Sequence, residues 1–445
     1  MSTARDLKET RARRSELMRR IGRAGIAIIP AAHEVTRWRD THYRFRQASD
    51  FAYLTGFPEP EAVAVLAPGR RNAQGEKAEY LMFVRPRDVE REIWDGRRAG
   101  PEGVKARYGV DEAWPLTELE AQLPGLLAGR ETVHMNLGEF PAFDPKVIGM
   151  VRHLQFVSRR GAAAPVRFEA LETTLHEMRL IKRPAELALM RHAARITAQA
   201  HVKAMQATRP GRNEWEIAAV IGAEFELHDL QPGYGTICGG GANACILHYT
   251  ENNQPLREGD LLLIDAGGEY RGYTADITRT FPVSGRFSAA QKAVYEVVLA
   301  ANLAAIKTLR PGVSVGKPHE VATRVLTEGM VALGLLKGEP KKLIEQGRQR
   351  QFFMHGTGHW LGMDVHDVGR YKLGGEYRRF EPGMVMTVEP GIYVAPGTPG
   401  VAEKFWGIGI RIEDDVVVTE QGPEVLTAGV PKTVSEIEAL MARRH

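Results

Sequence analysis

Four acidic residues and one histidine in the second half of the chain have settings that suit metal chemistry. Asp265 ends an apolar run, and Asp276 lies on the far side of the glycine-rich turn that follows. His359 closes the segment His-Gly-Thr-Gly-His, Glu389 lies in Thr-Val-Glu-Pro-Gly, and Glu413 lies in Ile-Arg-Ile-Glu-Asp. An ionised carboxylate among apolar residues is costly unless an opposite charge compensates it. We therefore predict that cations bind between these side chains.

The charges favour two divalent ions. Four ionised carboxylates are balanced by two divalent cations when the histidine is neutral, whereas without metal the carboxylates would raise one another's pKa. Oxygen-rich ligation with one imidazole and no thiolate suits manganese, with cobalt or zinc as alternatives. Two such ions activate water and polarise a carbonyl, so the predicted reaction is a hydrolysis.

Each motif also has an ordinary structural explanation. An aspartate at a strand end commonly caps a turn, a glutamate before Pro-Gly is commonly an exposed turn residue, and His-Gly-x-Gly-His also suits a glycine-rich structural turn. The five residues in this order and in these settings are what favour a metal site.

The second half of the chain has the pattern of an α+β domain. If the apolar segments around the two aspartates pair as antiparallel strands, both carboxylates project to one face of the pair. The predicted helices are residues 185–208, 289–309 and 318–336. The predicted strands are residues 260–267, 273–283, 384–394 and 407–419.

The first half alternates short apolar runs with helix-like stretches, which is typical of an α/β domain. Its basic first residues predict a surface helix, and the apolar run 25–29 predicts a buried strand that is too short for a secretory leader. The sequence Gly-Ala-Ala-Ala-Pro near Gly161 breaks the pattern. We therefore predict an N-terminal domain over residues 1–172 and a catalytic domain over residues 173–445.

Composition excludes several classes of protein. Hydrophobic residues make up 43% of the 445, which is too many for a disordered chain. The net charge of +4 comes from 59 basic and 55 acidic residues, a mixed surface that does not suit nucleic acid. The apolar runs are too short to span a bilayer. Two cysteines give no disulfide framework, so we expect a cytoplasmic protein without a membrane partner.

The five residues and their settings resemble the "pita-bread" metallopeptidases, which include methionine aminopeptidase, prolidase and aminopeptidase P. The matching stretches are residues 262–280, 353–367, 381–393 and 407–414. The resemblance implies a pita-bread catalytic domain in which Asp265 chelates one ion, Asp276 and Glu413 bridge the two ions, and His359 and Glu389 complete the shell of the other.

The same resemblance implies roles for residues around the metals. Three histidines are expected to bind substrate and move protons, and Glu389 to carry a proton to the leaving nitrogen. Arg411 is expected to be a cation next to the ligands, because it shares a strand face with Glu413. Tyr234 and Tyr393 are candidate substrate-binding residues, with plain packing as the alternative. The three histidines are His248, His355 and His366.

The N-terminal half indicates the branch of the family. Residues 43–57 and 92–98 resemble bacterial aminopeptidase P, which implies hydrolysis of the N-terminal Xaa-Pro bond of peptides by a metal-bridging hydroxide. Trp94 is expected to reach a neighbouring subunit's active site in a homo-oligomer, a dimer or tetramer; the alternative is a buried packing tryptophan.

Three other functions stay open. A prolidase would share every metal ligand and cleave Xaa-Pro dipeptides only. A metal-free relative of the creatinase type, or a non-catalytic peptide-binding module, would have lost ligands that this chain keeps.

Overall fold

Two units make up the chain, residues 1–177 and residues 178–445. The computed structural model describes residues 4–158 and 163–443. The break predicted near Gly161 lies outside the described residues, and the predicted division after residue 172 stays a prediction.

The strands of the N-terminal unit are β1 (Gly25–Pro30), β2 (Thr36–Trp38), β3 (Thr41–His42), β4 (Val63–Leu66), β5 (Tyr80–Val84), β6 (Glu112–Pro115), β7 (Thr132–His134) and β8 (Arg167–Glu169). Six of them form one mixed sheet, in the order β6-β5-β4-β1-β7-β8. The helices are α1 (Ala4–Ile21), α2 (Ser49–Thr55), α3 (Val89–Asp95), α4 (Gly100–Tyr108), α5 (Leu119–Leu127) and α6 (Asp144–Val157), and α7 (Glu172–Leu180) runs across the junction. β2 and β3 form a separate exposed hairpin.

The central position of β1 follows from its composition. β1 pairs with β4 antiparallel and with β7 parallel, and five of its six residues are buried. Apolar residues on both faces of a strand require cover on both sides. The predicted surface helix followed by a buried strand is confirmed, and so is the α/β class of this unit.

The C-terminal unit combines long helices with several small sheets. Its helices are α8 (Pro184–Ala207), α9 (Glu214–Leu227), α10 (Ala289–Ile306), α11 (Lys317–Ala332), α12 (Pro340–Glu345) and α13 (Val434–Met441). Its strands are β9 (Gln231–Pro232), β10 (Ile237–Gly240), β11 (Leu261–Ala266), β12 (Gly268–Tyr270), β13 (Tyr273–Thr274), β14 (Ile277–Pro282), β15 (Lys372–Leu373), β16 (Glu376–Tyr377), β17 (Val385–Val388), β18 (Gly391–Val394), β19 (Ile408–Arg411), β20 (Asp414–Thr419) and β21 (Gly422–Val425). The three predicted helices are confirmed, as is the α+β class.

Three segments predicted as continuous strands are each broken in two. Residues 273–283 form β13 and β14, residues 384–394 form β17 and β18, and residues 407–419 form β19 and β20. The two halves of each segment belong to different sheets. The first break contains Asp276, and the second falls at Glu389-Pro390, because proline has no N–H for the strand ladder. The third falls before β20, where Glu413 donates its amide to Thr278. All three breaks coincide with predicted metal ligands.

The helix α10 has the length and composition of a membrane-crossing helix, and it is the one such helix within the described ranges. Its buried residues, among them Val294 and Val298, belong to the apolar core of the C-terminal unit. The core helix of a globular protein passes the same test, so the finding is weak evidence for a membrane span.

Helices α10 and α11 approach closely at Gly329, where a Cβ would overlap the side chain of Val297, including its Cβ. We predict that Gly329→Ala lowers stability by about 1–3 kcal/mol, because overpacking forces the helices apart. At an open helical position the same change would stabilise by roughly 0.5–1 kcal/mol. Gly222 on α9 is such a position, since a Cβ there would project into open space. Thermal unfolding of Gly329→Ala beside Gly222→Ala measures the difference, and equal stability of the two variants would contradict a tight α10–α11 contact.

Candidate metal centre

The two aspartates meet on one face of an antiparallel strand pair, as the sequence predicts. Asp265 lies on β11 opposite Thr278 of β14, and Asp276 comes directly before β14. The hydroxyl of Tyr234 lies 2.7 Å from Oδ1 of Asp265 and 2.5 Å from Oδ1 of Asp276. Because one phenol touches both carboxylates, the two aspartates share a single site.

His359 and the two glutamates lie beside this pair. His359 Nε2 is 3.5 Å from Oδ2 of Asp276 and 3.8 Å from Oε1 of Glu389. One ligand atom from each of Asp276, His359 and Glu413 lies within 4.8 Å of the other two, a spacing that can hold a metal ion. The structure therefore brings the five predicted ligands together from four separate segments.

The glutamates reach the site because the backbone leaves its strands where they stand. Glu389 donates its amide to the carbonyl of Thr357, and Glu413 donates its amide to the carbonyl of Thr278, at 2.8 and 3.1 Å. The hydroxyl of Thr278 also donates to Oε2 of Glu413 at 2.6 Å. These bonds fix both ligands outside the regular ladders.

The protein cations around the site are too few to keep all of its carboxyl groups ionised. Burial and then repulsion from the other carboxylates raise the pKa of Glu413 well above its usual value. Burial raises the pKa of Glu389 to about 7 against the charges of His359 and Arg411. Burial favours neutral His359, but the hydrogen bond and charge of Asp276 raise its pKa to about 9. Without added cations, the cluster would therefore take up protons.

The donor set fits divalent cations of hard or borderline character. Four buried or nearly buried carboxylates and one imidazole supply the ligand atoms, with no thiolate among them. His359 Nδ1 lies 3.0 Å from the carbonyl oxygen of Trp360. Since a carbonyl only accepts, this contact assigns the proton of a neutral ring to Nδ1 and leaves the Nε2 lone pair facing the carboxylates.

A hydrogen-bonded chain runs from Asp265 through Arg411 to His355. Arg411 donates from Nη2 to Oδ2 of Asp265 at 2.5 Å and from Nη1 to the hydroxyl of Tyr393 at 3.1 Å. The Tyr393 hydroxyl lies 2.8 Å from Nε2 of His355, whose Nδ1 lies 2.7 Å from the carbonyl of Gly356. Burial first, then Arg411, lowers the pKa of His355 to about 4. The ring is thus neutral and both its nitrogens are engaged, so Tyr393 and His355 act together with Arg411.

His366 and His248 are the exposed histidines of the site. The ring of His366 meets that of His359 edge to face, with centroids 4.4 Å apart. Burial and then the charge of His359 lower the pKa of His366. His248 makes the smallest contribution, in the same direction, to the lowered pKa values of His355 and His366. These two imidazoles are the ones available to a substrate.

Trp94 lies on α3 in the N-terminal unit, and its side chain is 84% exposed. The alternative of a buried packing tryptophan is therefore wrong. The role of Trp94 toward a neighbouring subunit stays a prediction.

Sequence reasoning missed the charged residues behind the ligands. Asp415 accepts the amide of Asp276 at 3.0 Å through Oδ2. Fully buried Arg279 binds Asp414 at 2.7 Å and donates to the carbonyl of Glu413 at 2.6 Å. A run of three acids, Glu-Asp-Asp, at the start of an apolar strand was the signal for these contacts, because such a run is too costly without partners.

Both halves of the chain match known protein families. Residues 188–420 match the model of metallopeptidase family M24, and residues 10–134 match the N-terminal domain of aminopeptidase P. The chain is 47% identical to the Xaa-Pro aminopeptidase of Escherichia coli (strain K12), over 98% of this chain and 97% of that protein.

Solved structures agree with the sequence matches. The aminopeptidase PepP of Pseudomonas aeruginosa has a TM-score of 0.95 at 51% identity, with 98% of each chain covered. The Zn-substituted aminopeptidase P of Escherichia coli in complex with product has a TM-score of 0.94 at 46% identity, with 99% of each chain covered. The predicted resemblance and pita-bread fold class are confirmed. Since the family model spans the segments that carry all five ligands, this chain belongs to metallopeptidase family M24.

Proposed function

We propose that this protein is an Xaa-Pro aminopeptidase, which hydrolyses the N-terminal bond of peptides whose second residue is proline, and that it uses two divalent metal ions. The observation that carries the proposal is the convergence of four carboxylates and one imidazole in a site whose charges call for added cations. The choice of bond is supported by the 47% identical Escherichia coli relative, an Xaa-Pro aminopeptidase. The match of residues 10–134 to the aminopeptidase P N-terminal domain favours it over a prolidase.

The metals would be held by the five residues of the candidate centre. Asp265 would bind one ion, Asp276 and Glu413 would bind both, and His359 and Glu389 would complete the set of direct ligands to the other ion. Bound ions of this kind polarise a carbonyl and make water a nucleophile near neutral pH. Manganese is the expected ion because oxygen ligands dominate, with cobalt or zinc as alternatives.

The protein's own side chains position the substrate and move protons. His248 and His366 are the exposed imidazoles of the site, so each can donate a hydrogen bond to a developing oxyanion or exchange a proton. Oε2 of Glu389 lies 3.6 Å from Nδ1 of His355. In the proposed mechanism Glu389 carries a proton to the leaving proline nitrogen, while Arg411 and Tyr393 hold Asp265 and His355.

Proline at the second position explains the need for a dedicated site. Its nitrogen has no N–H, and its ring restricts the preceding residue to extended conformations. A pocket that relies on an amide donor of the substrate would bind such a peptide poorly.

Assembly and location also belong to the proposal. We expect a homo-oligomer, a dimer or tetramer, in the cytoplasm, with Trp94 near a neighbouring subunit's site. The exposed position of Trp94 leaves its ring available for such a contact.

Substrate length separates the two closest functions. We predict that the manganese-loaded protein cleaves a tripeptide Xaa-Pro-Xaa with a higher kcat/KM than the dipeptide Xaa-Pro, and that it leaves Xaa-Ala-Xaa intact. Chromatographic assay of released amino acid measures all three. A preference for the dipeptide would make the protein a prolidase instead.

Metal dependence has its own test in Asp276→Ala. Elemental analysis should find two ions per subunit in the wild type and fewer in the variant. We expect turnover to fall by more than about 100-fold, because losing a direct ligand should exceed the roughly 10- to 100-fold effect of an outer-shell change. Glu424→Gln, which alters an exposed carboxylate paired with Arg191, is the control. Full activity with a single ion would contradict the two-metal proposal.

The exposed histidines should matter more than a histidine elsewhere on the surface. We predict that His248→Ala and His366→Ala each lower kcat/KM by about 100- to 1,000-fold, the usual effect of removing a donor to an oxyanion. His153→Ala, in an exposed position on α6, should leave kcat/KM unchanged. Wild-type rates in both site variants would remove these imidazoles from the mechanism.

A further inference from the structure

The loop of residues 361–370 carries His366 but contains no helix or strand. A loop without a backbone ladder has few intrinsic restraints on its side chains. The orientation of His366 against His359 must therefore come from contacts made by the rest of the loop.

A buried ion cluster provides those contacts. Arg179 Nη2 donates to Oδ1 of Asp367 at 2.6 Å, and Lys182 Nζ donates to Oδ2 at 2.9 Å. The three side chains are 3%, 1% and 1% exposed. We call Arg179, Lys182 and Asp367 the clamp. Each carboxylate oxygen of Asp367 is bound by a different cation, and these two bonds fix the orientation of the carboxylate.

The clamp also contacts the first residues of the loop 361–370. Arg179 Nη2 binds Oδ2 of Asp364 at 2.7 Å. Gly362 packs directly on the clamp, because a Cβ there would meet the Asp367 carboxylate and Cε of Lys182. The carbonyl of Gly362 accepts the amide of Thr274, which ties the loop to β13.

The main chain of Asp367 connects the clamp to the metal ligand. Its amide donates to the carbonyl of Trp360 at 2.9 Å. The same carbonyl oxygen lies 3.0 Å from Nδ1 of His359 and so receives the ring proton. His366 is the residue directly before Asp367. Asp367 thus fixes the carbonyl that accepts the ring proton of His359, and it also fixes the backbone next to His366.

We propose that the Arg179–Asp367–Lys182 clamp is a positioning device for the imidazoles of His359 and His366, which holds the first for metal binding and the second for substrate. Its catalytic part rests on the proposed function, whereas its metal-binding part does not. Groups that orient a metal-ligating histidine tune its affinity for the metal. A buried ion pair adds little stability compared with apolar packing of the same volume. Its hydrogen bonds, however, have fixed directions, and such bonds can hold the loop in the conformation that orients the rings of His359 and His366.

The test compares Asp367→Asn and Lys182→Met with the wild type. The substitution Asp367→Asn keeps the shape of the side chain and removes the charge that both cations bind. Calorimetric titration of metal-free protein with Mn²⁺ alone should show an affinity lower by about 10- to 100-fold. With an Xaa-Pro-Xaa peptide at saturating Mn²⁺, kcat should fall more than KM rises, because His366 is misplaced during reaction more than during binding.

The control is Glu424→Gln, which breaks the exposed Arg191–Glu424 pair and should leave both readouts unchanged. A folded Asp367→Asn protein with wild-type Mn²⁺ affinity and kcat would overturn the proposal. If Asp367→Asn does not fold, Lys182→Met decides by the same two measurements, since Arg179 still binds Asp367 in that variant. If the wild type binds Mn²⁺ but has no Xaa-Pro activity, and the variants lose Mn²⁺ affinity, the result would support the clamp and refute only the proposed function.

Discussion

Repulsion among buried carboxylates is the constraint on which the catalytic unit depends. Arg411 contacts Asp265, and Arg279 and Lys432 both bind Asp414. The protein thus supplies fixed cations to some acids and leaves the remaining charge of the cluster to ions from solution. Because removal of one buried partner strands the other, these pairings are interdependent, and the fold around the site tolerates little rearrangement.

The backbone shows how the ligands are delivered. Three ligands, Asp276, Glu389 and Glu413, stand where a strand stops and the chain changes sheets. Regular strands would have alternated these side chains between faces and hidden them against neighbours. The irregularity lets several small sheets each contribute one or two side chains to a common point. Threonines at that point, above all Thr278, replace the missing ladder bonds with bonds to the ligands.

The sequence predicted much of the metal centre. Ligand types and local motifs identify such a site even when the bounds of the surrounding strands are predicted wrongly. The pairing of β11 with β14 followed from apolar runs on either side of a turn. The family resemblance implied a cation at Arg411, but the strand face that Arg411 was expected to share with Glu413 is absent, because β19 ends at Arg411. The breaks at Asp276, Glu389 and Glu413 were not foreseen, because apolar residues occur on both sides of each break and periodicity alone gives no signal for a change of sheet.

Contacts between distant segments were also beyond sequence reasoning. Asp367 directly follows His366 in the sequence, yet it is bound by Arg179 and Lys182 from the start of the unit. His355 was expected to bind substrate and move protons, but Tyr393 and Gly356 engage both of its nitrogens. Such assignments depend on hydrogen-bond partners that lie far away in the chain, which no local pattern encodes.

The order of the ligands along the chain has a consequence for biosynthesis. Asp265 and Asp276 leave the ribosome well before Arg411 and Glu413, and domains fold as units while synthesis proceeds from the N-terminus. An unfinished chain therefore holds only part of the cation-binding cage. The peptidase can acquire its hydrolytic power only after the segment that carries Arg411 and Glu413 has been made, so a shorter nascent chain is inert toward peptides.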